Sequence, residues 1–266
     1  MLKTAFKVFL LIVWTMLWYP PVWIAKKMNK QQQYSRMIQW CSKGMLFITG
    51  VRLKVTGTPS EKRPLLLVSN HLSYLDVIIL SSQMPVRFTP KSEIEKWPVV
   101  GNICNLCDAL FIDRSVDKVK EMKDKLHKAL NDDTVISLFP EATTGNGIRL
   151  HPFKSGLFSL AEGDFGEREL TIQPAAITYT HICKLPIDIT QWPDIAWYGD
   201  MDFIPHLFNV LSLGPIDAEL VFLPPLTVDK KAGRKELSGR CQAMIQETLN
   251  SIRERRPAVY SAPTAA

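Results

Sequence analysis

Leu65-Leu66-Leu67-Val68-Ser69-Asn70-His71-Leu72-Ser73-Tyr74-Leu75-Asp76 joins an apolar run to a polar turn and sets a histidine five residues before a carboxylate. The run Leu65–Val68 reads as a buried strand, and Leu75–Leu80 as an apolar helix that follows it. A strand end followed by a helix is where α/β proteins keep their chemistry. Imidazole is the side chain whose charge changes nearest neutrality, and a neighbouring carboxylate fixes its tautomer so that it can take a proton from a hydroxyl. Five residues along a regular helix rotate by about 500°, so His71 must lie in the turn before the helix if it is to meet Asp76. A second reading stays open: Ser73-Tyr74-Leu75-Asp76 also fits a capping box, with Ser73 as cap and Asp76 reaching back to it, which would leave His71 a turn residue.

Working outward, apolar β-branched runs recur at Leu65–Val68, Val86–Thr89, Ala109–Ile112, Val135–Phe139, Leu170–Ile177 and Ala218–Leu223. The segments between them are long enough for helices, and this alternation predicts an α/β fold: a mixed, largely parallel sheet flanked by helices. Val116–Leu130 and Leu237–Ile252 carry apolar residues at helical spacing. The second places Leu237, Cys241, Ile245, Leu249 and Ile252 on one face, suited to docking on the sheet. His181–Pro205, with Trp192, Trp197, Tyr198 and several prolines, has no clean period and suits an insertion, a lid or a loop that touches a membrane.

The amino-terminal part is different in kind. The first 60 residues carry a charge of +9 and the remainder −3, because Glu61 is the first acidic residue. Val8–Ala25 holds no charge, contains Trp14, Trp18, Tyr19 and Trp23, and is flanked by Lys7 and by Lys26-Lys27. Crossing the hydrocarbon takes about 20 apolar residues. Pro20-Pro21 is expected to cut this run near its end, which favours a helix that enters, turns and returns over a straight span. Interfacial aromatics and lysines suit an anionic lipid surface. No small-x-small cleavage site precedes Lys26, against a signal peptide, and no aromatic-basic RNA motif or helix-turn-helix pattern is visible, so nucleic acid is not an expected partner. Five cysteines, Cys41, Cys104, Cys107, Cys183 and Cys241, form no regular framework and point to a reducing compartment. Cys104-Asn105-Leu106-Cys107 lacks a second pair, so it reads as packing and no metal is expected.

Two further polar clusters stand at strand ends. Phe139-Pro140-Glu141-Ala142-Thr143-Thr144-Gly145-Asn146-Gly147 follows the run Val135–Phe139; Glu141 suits a hydroxyl, and the Thr143 and Thr144 backbone and hydroxyls suit an anion. Lys91 and Arg114, the second in Phe111-Ile112-Asp113-Arg114, could supply positive charge to a phosphate.

The ordered blocks Asn70-His71-x4-Asp76, Lys91-x-Glu93 with Pro98 and Gly101, Phe111-Ile112-Asp113-Arg114, Phe139-Pro140-Glu141-Ala142-Thr143, Pro152-Phe153-Lys154-Ser155-Gly156 and Gln173-Pro174-Ala175 resemble the glycerolipid acyltransferases, specifically the bacterial 1-acylglycerol-3-phosphate acyltransferases. The resemblance runs from about Leu65 to Ile177, and the hydrophobic amino terminus looks like that family's two-helix membrane motif. It implies residues 1–55 as a membrane-anchoring helical motif and 56–252 as an α/β acyltransferase domain; the Pro- and Ala-rich stretch 253–266 reads as a flexible tail. It implies His71 as general base with Asp76 as its orienting partner, Lys91 and Arg114 as acceptor-phosphate ligands, and Glu141 and Thr143 in the turn that shapes the acceptor site. The implied reaction moves a fatty acyl group from acyl-coenzyme A or acyl carrier protein, a donor substrate rather than a bound cofactor, to a lysolipid hydroxyl. The expected acceptor is 1-acylglycerol-3-phosphate, giving phosphatidic acid. The expected place is a membrane, at the cytoplasmic face of the inner membrane. One departure matters: the family's turn reads Phe-Pro-Glu-Gly-Thr-Arg, whereas Ala142 and Thr144 stand here for the glycine and the arginine. That resembles a branch including lyso-ornithine-lipid and other lysophospholipid acyltransferases, whose acceptors are the alternative. An inactive lipid-binding protein and a hydrolase are the rivals from other classes; the His71/Asp76 pair speaks against the first, and the lack of a nucleophile elbow against the second.

Overall fold

A computed structural model describes residues 2–113, 118–228 and 233–255. Among them one eight-stranded sheet has the order β1-β7-β5-β2-β4-β3, with β6 and β8 also paired to β5. The strands are β1 (Val51–Thr56), β2 (Leu65–Ser69), β3 (Arg87–Phe88), β4 (Ile136–Leu138), β5 (Thr171–Ile182), β6 (Leu185–Pro186), β7 (Ile216–Phe222) and β8 (Leu226–Thr227). β2 lies parallel to both β4 and β5, β3 parallel to β4, and β1 parallel to β7, while β7 runs antiparallel to β5. Every residue of β2 is buried, as a strand covered by helices on both faces requires. β1 spans the boundary expected at residue 55 and forms the sheet's edge.

β5 is longer than its apolar run because Thr178, Tyr179 and Thr180 continue it, buried despite their polar groups. It also contains Pro174, which cannot donate to a ladder. The proline stands where β5 changes antiparallel partner, from β8 at Ile172 to β7 at Ala175. The Gln173 side chain closes that gap, donating to Thr58 and Leu223 carbonyls and accepting from the Ser60 N–H at 2.7 Å.

Two apolar cores lie on the two faces of the sheet. One includes Leu75, Ile79 and Leu80 of α3 (Leu75–Gln83). The other includes Leu126 and Leu130 of α5 (Val119–Asn131, which follows α4, Val100–Leu106) and the buried face of α7 (Arg234–Glu254). Leu237, Cys241, Ile245 and Leu249 join this core, and Ile252 is buried on the same helix, as the spacing predicts. α6 (Phe203–Ser212) completes the helices in chain order before α7.

Three expectations change. Ala109–Ile112 is not a strand: the Leu110 and Ile112 N–H groups bond the Phe88 and Pro90 carbonyls at 2.8 and 2.9 Å, but Pro90 has no N–H to return a bond to Leu110, so only the bridge between Lys91 and Ile112 forms. The prolines do not end the first helix: α1 runs Leu2–Lys27 through Pro20 and Pro21. The two rings are adjacent, so their lost donors fall within one turn. Trp18, Val22 and Ala25 then pack on Tyr34, Met37 and Ile38 of α2 (Gln31–Thr49), clamping α1 on both sides of the rings. The chain reverses later, at Met28–Lys30, where Asn29 takes φ 53°. The third concerns the ends of elements: residues 116–117 of the helix expected from Val116 and residues 256–266 of the tail expected from Arg253 lie outside the described residues, and Arg253 and Glu254 belong to α7. α1 is long and apolar enough to cross a membrane, with mean hydropathy 1.8, and 11% of that stretch is buried against protein.

Candidate functional site

The site begins with Asn70, where β2 stops. Its side chain accepts the Ile177 N–H at 2.8 Å and donates to the Ile177 carbonyl at 2.9 Å, taking over the ladder positions that a further strand residue would use. The chain is thereby pinned to β5 and turns away at His71.

Asp76, in the first turn of α3, is fully buried and collects the turn around itself. Its Oδ2 accepts the N–H groups of Leu72 and Ser73, at 2.6 and 2.9 Å, and faces His71 Nδ1 at 2.9 Å. Oδ1 accepts the Tyr179 hydroxyl at 2.6 Å. The two readings of this turn share one oxygen, since Asp76 Oδ2 reaches back to the Ser73 N–H as the acidic arm of a capping box would and also orients the imidazole. Ser73 itself is not the cap: the N-cap position of α3 is Tyr74, with no side-chain cap bond. With Nδ1 as donor to the carboxylate, Nε2 is left as the basic nitrogen, and it makes no hydrogen bond within the described residues. The imidazole stacks on Phe139, centroids 4.0 Å apart and planes 13° from parallel, so it has little rotational freedom. Burial and the charge of Asp76 hold the Tyr179 hydroxyl well above its ordinary range, so it stays a donor.

The second turn is tied to the first through the backbone of His71. Glu141 Oε1 accepts the His71 N–H at 2.7 Å and Oε2 accepts the His151 N–H at 2.9 Å, while the Gly145 N–H donates to the His71 carbonyl at 2.7 Å. Burial pushes the Glu141 carboxyl up to about 7, and these N–H groups oppose the rise. Ala142 takes φ 62°, a left-handed conformation that favours glycine. Thr143 is exposed on the same turn.

Lys91 is exposed at the start of a 3₁₀ turn, Ser92–Lys96, beside its bridge partner Ile112. Arg114 lies outside the described residues. The structure thus joins His71, Asp76 and Glu141 directly, whereas Lys91 and Thr143 make no hydrogen bond to them.

Sequence reasoning missed Tyr179 and the Phe139 stack. Tyr179 sits in the polar stretch Thr178-Tyr179-Thr180-His181, which gives no sign of continuing a buried strand. The segment 181–205 packs as a wall beside the turn. Its Trp197 N–H donates to the Leu72 carbonyl at 2.9 Å, and the Trp197 ring meets Tyr74, Trp97 and Phe203. Trp192 is buried over Gly147, where φ is 79° and a Cβ would fall 2.1 Å from the indole.

Comparison with known proteins gives consistent results. A family model described as Acyltransferase matches residues 52–178. The chain is 35% identical over 212 residues to a lyso-ornithine lipid O-acyltransferase of Brucella abortus, covering 75% of this chain and 78% of that one. It is 33% identical over 221 residues to a 1-acyl-sn-glycerol-3-phosphate acyltransferase of Neisseria gonorrhoeae, covering 82% and 81%. The crystal structure of the Thermotoga maritima 1-acyl-sn-glycerophosphate acyltransferase PlsC superposes with a TM-score of 0.70 at 16% identity, over 96% of this chain and 97% of that one, so the fold is shared.

Proposed function

Because the chain belongs to the acyltransferase family, we propose that it transfers a fatty acyl group from a thioester donor directly to the free hydroxyl of a membrane lysolipid, with His71 as general base. The observation that carries this reading is the His71 Nδ1 to Asp76 Oδ2 contact, which leaves Nε2 without a hydrogen bond among the described residues. Nε2 takes the acceptor's hydroxyl proton as its oxygen attacks the thioester carbonyl. The carbonyl carbon–sulfur bond then breaks, and the thiol leaves with the proton returned by the imidazolium. Asp76 stabilises that imidazolium, and the backbone bonds from Leu72 and Ser73 hold the carboxylate in place. No acyl-enzyme is invoked, and the donor, acyl-coenzyme A or acyl carrier protein, is a substrate. Glu141 serves by holding the His71 backbone against the acceptor turn, and Lys91, Arg114 and Thr143 serve the acceptor headgroup. α1 and α2 keep the domain at the lipid surface, on the cytoplasmic side, where the donor is.

Two acceptors fit this site. 1-Acylglycerol-3-phosphate suits a phosphate contact from Lys91. A lyso-ornithine lipid, the acceptor in the name of the Brucella relative, needs no phosphate ligand and is favoured by Thr144 in place of the turn arginine.

The test is an acyl-transfer assay in vesicles with both lysolipids in competition and both donors offered, for wild type and His71→Ala. Product from either acceptor that disappears in the variant supports the mechanism, and the acceptor consumed first identifies the substrate. A pure His71→Ala preparation that retains transfer would sink it.

A further inference from the structure

Away from His71, the last turns of α1 face α4 across a groove of about 320 Å³. Tyr19, Trp23, Lys26 and Lys27 line one side, and Asn102 and Asn105 the other. Its base is latched: the Lys26 ammonium bonds the Asn105 carbonyl and the Asp108 carboxylate, which also pairs with Arg87 at 3.3 Å. Lys27 is placed differently. It has no carboxylate partner within the described residues, and its ammonium stands 4.9 Å over the Trp23 ring, which holds the charge at the mouth of the groove. The Asn102 and Asn105 side-chain amides and the Tyr19 hydroxyl are likewise without hydrogen-bond partners among the described residues. The carboxylate at its base, Asp108, is paired with Lys26 and Arg87.

A phosphodiester asks for this set: a positive charge and several N–H and O–H donors, with the nearby carboxylate already neutralised by other cations. The volume lies at the small end of ligand sites, roughly 300–1,000 Å³, enough for a headgroup and not for acyl chains. Those chains would have somewhere to go, because α1 is the apolar helix that meets lipid, and Tyr19 and Trp23 are exposed near its end, where aromatics sit at headgroup depth.

We propose that this groove binds the phosphate headgroup of an anionic membrane phospholipid that is neither acceptor nor product, fastening the α1–α2 hairpin to the catalytic domain. α4 packs on the 3₁₀ turn that begins at Lys91, with the Gly101 N–H donating to the Trp97 carbonyl at 3.0 Å, so a lipid gripping α4 also steadies the segment that carries Lys91. The lipid part of this inference rests on the membrane placement of α1 and not on the identity of the acceptor.

The experiment uses the full chain in vesicles of phosphatidylcholine alone or mixed with phosphatidylglycerol, followed by detergent extraction and native mass spectrometry of the lipid retained. Variants are Lys27→Gln and Asn102→Ala, with Lys30→Gln as a control that removes the same charge three residues on, outside the groove. Wild type and Lys30→Gln are expected to retain phosphatidylglycerol, with Lys27→Gln about fivefold weaker and Asn102→Ala, which changes no charge, also weaker. Equal losses in Lys27→Gln and Lys30→Gln would mean diffuse surface attraction and overturn the site, as would no retention by wild type. Competing glycerophosphoglycerol is expected to displace the lipid; displacement by inorganic phosphate at the same concentration would assign the groove to free phosphate and overturn the lipid reading. Transfer is measured in the same vesicles. Its absence from both kinds of vesicle would count against the proposed function, while the retained lipid reports on the groove alone.

Discussion

The Tyr179 hydroxyl donates to Asp76 Oδ1 at 2.6 Å, on the oxygen that His71 does not use. The carboxylate is thus held from β5 on one side and by its own turn on the other. A hydrogen bond to a charged group is worth about 1.5–3 kcal/mol. Tyr179→Phe is therefore expected to lower kcat roughly tenfold, through a less well-oriented imidazole, while leaving KM unchanged. Steady-state kinetics against acceptor concentration checks this; a rise in KM at constant kcat would place Tyr179 in binding instead.

His71 and Asp76 differ in what they hold. His71→Ala removes the base and its stack on Phe139 but leaves Asp76 its bonds from Leu72, Ser73 and Tyr179, and is expected to cost about 10²–10⁴-fold in turnover with only a small fall in melting temperature. Asp76→Ala is expected to lose turnover as fully and also to lose several kcal/mol of stability, at about 1–3 kcal/mol for each buried donor left unpaired. Thermal unfolding of the two variants side by side measures the difference. Equal stability would mean that the bonds from Leu72, Ser73 and Tyr179 are not held in solution.

Glu141 predicts a pH dependence of stability. A carboxyl of ordinary value 4.5 raised to about 7 binds its proton more tightly in the folded chain. Between those values the unfolded chain binds fewer protons, so this contribution is fully present below 4.5 and is lost as pH rises through 7. The unfolding free energy of wild type minus that of Glu141→Gln is expected to fall by about 3 kcal/mol over that window and to be flat above it. Chemical denaturation at a series of pH values tests this, and a difference independent of pH would refute it.

Ala142 sits at φ 62°, where the related turn has glycine. The left-handed conformation costs a residue with a Cβ about 1–2 kcal/mol. Allowing for the greater freedom of glycine in the unfolded chain, Ala142→Gly is expected to gain about 1 kcal/mol, seen as a rise of about 2–4 °C in melting temperature. A fall would show that the alanine methyl makes a contact worth more than the strain.

The sheet was legible wherever a strand is wholly apolar, as at Leu65–Val68, or wherever helical spacing is clean, as from Leu237 to Ile252. It was not legible where polar residues are buried by long-range partners. Thr178 to Thr180 look like the end of a strand, and only the contacts with Asp76 and β7 show why they continue it. The prolines of α1 misled for a related reason, since local stiffness argues for a break and packing against Tyr34 and Met37 overrides it. Within the site, His71 and Asp76 announce themselves by spacing. Tyr179 does not, because it arrives from about a hundred residues away along the chain.

The edge pairing of β1 with β7 has a consequence for how the protein is made. Arg52 and its partner Asp217 are 165 residues apart. At roughly 5–20 residues per second of synthesis, about 10–30 s pass between the emergence of β1 and that of the strand it needs. α1 and α2 precede β1 in the chain, so they are free to meet lipid before β7 reaches β1. The order of synthesis thus allows attachment to lipid to come before the sheet is complete.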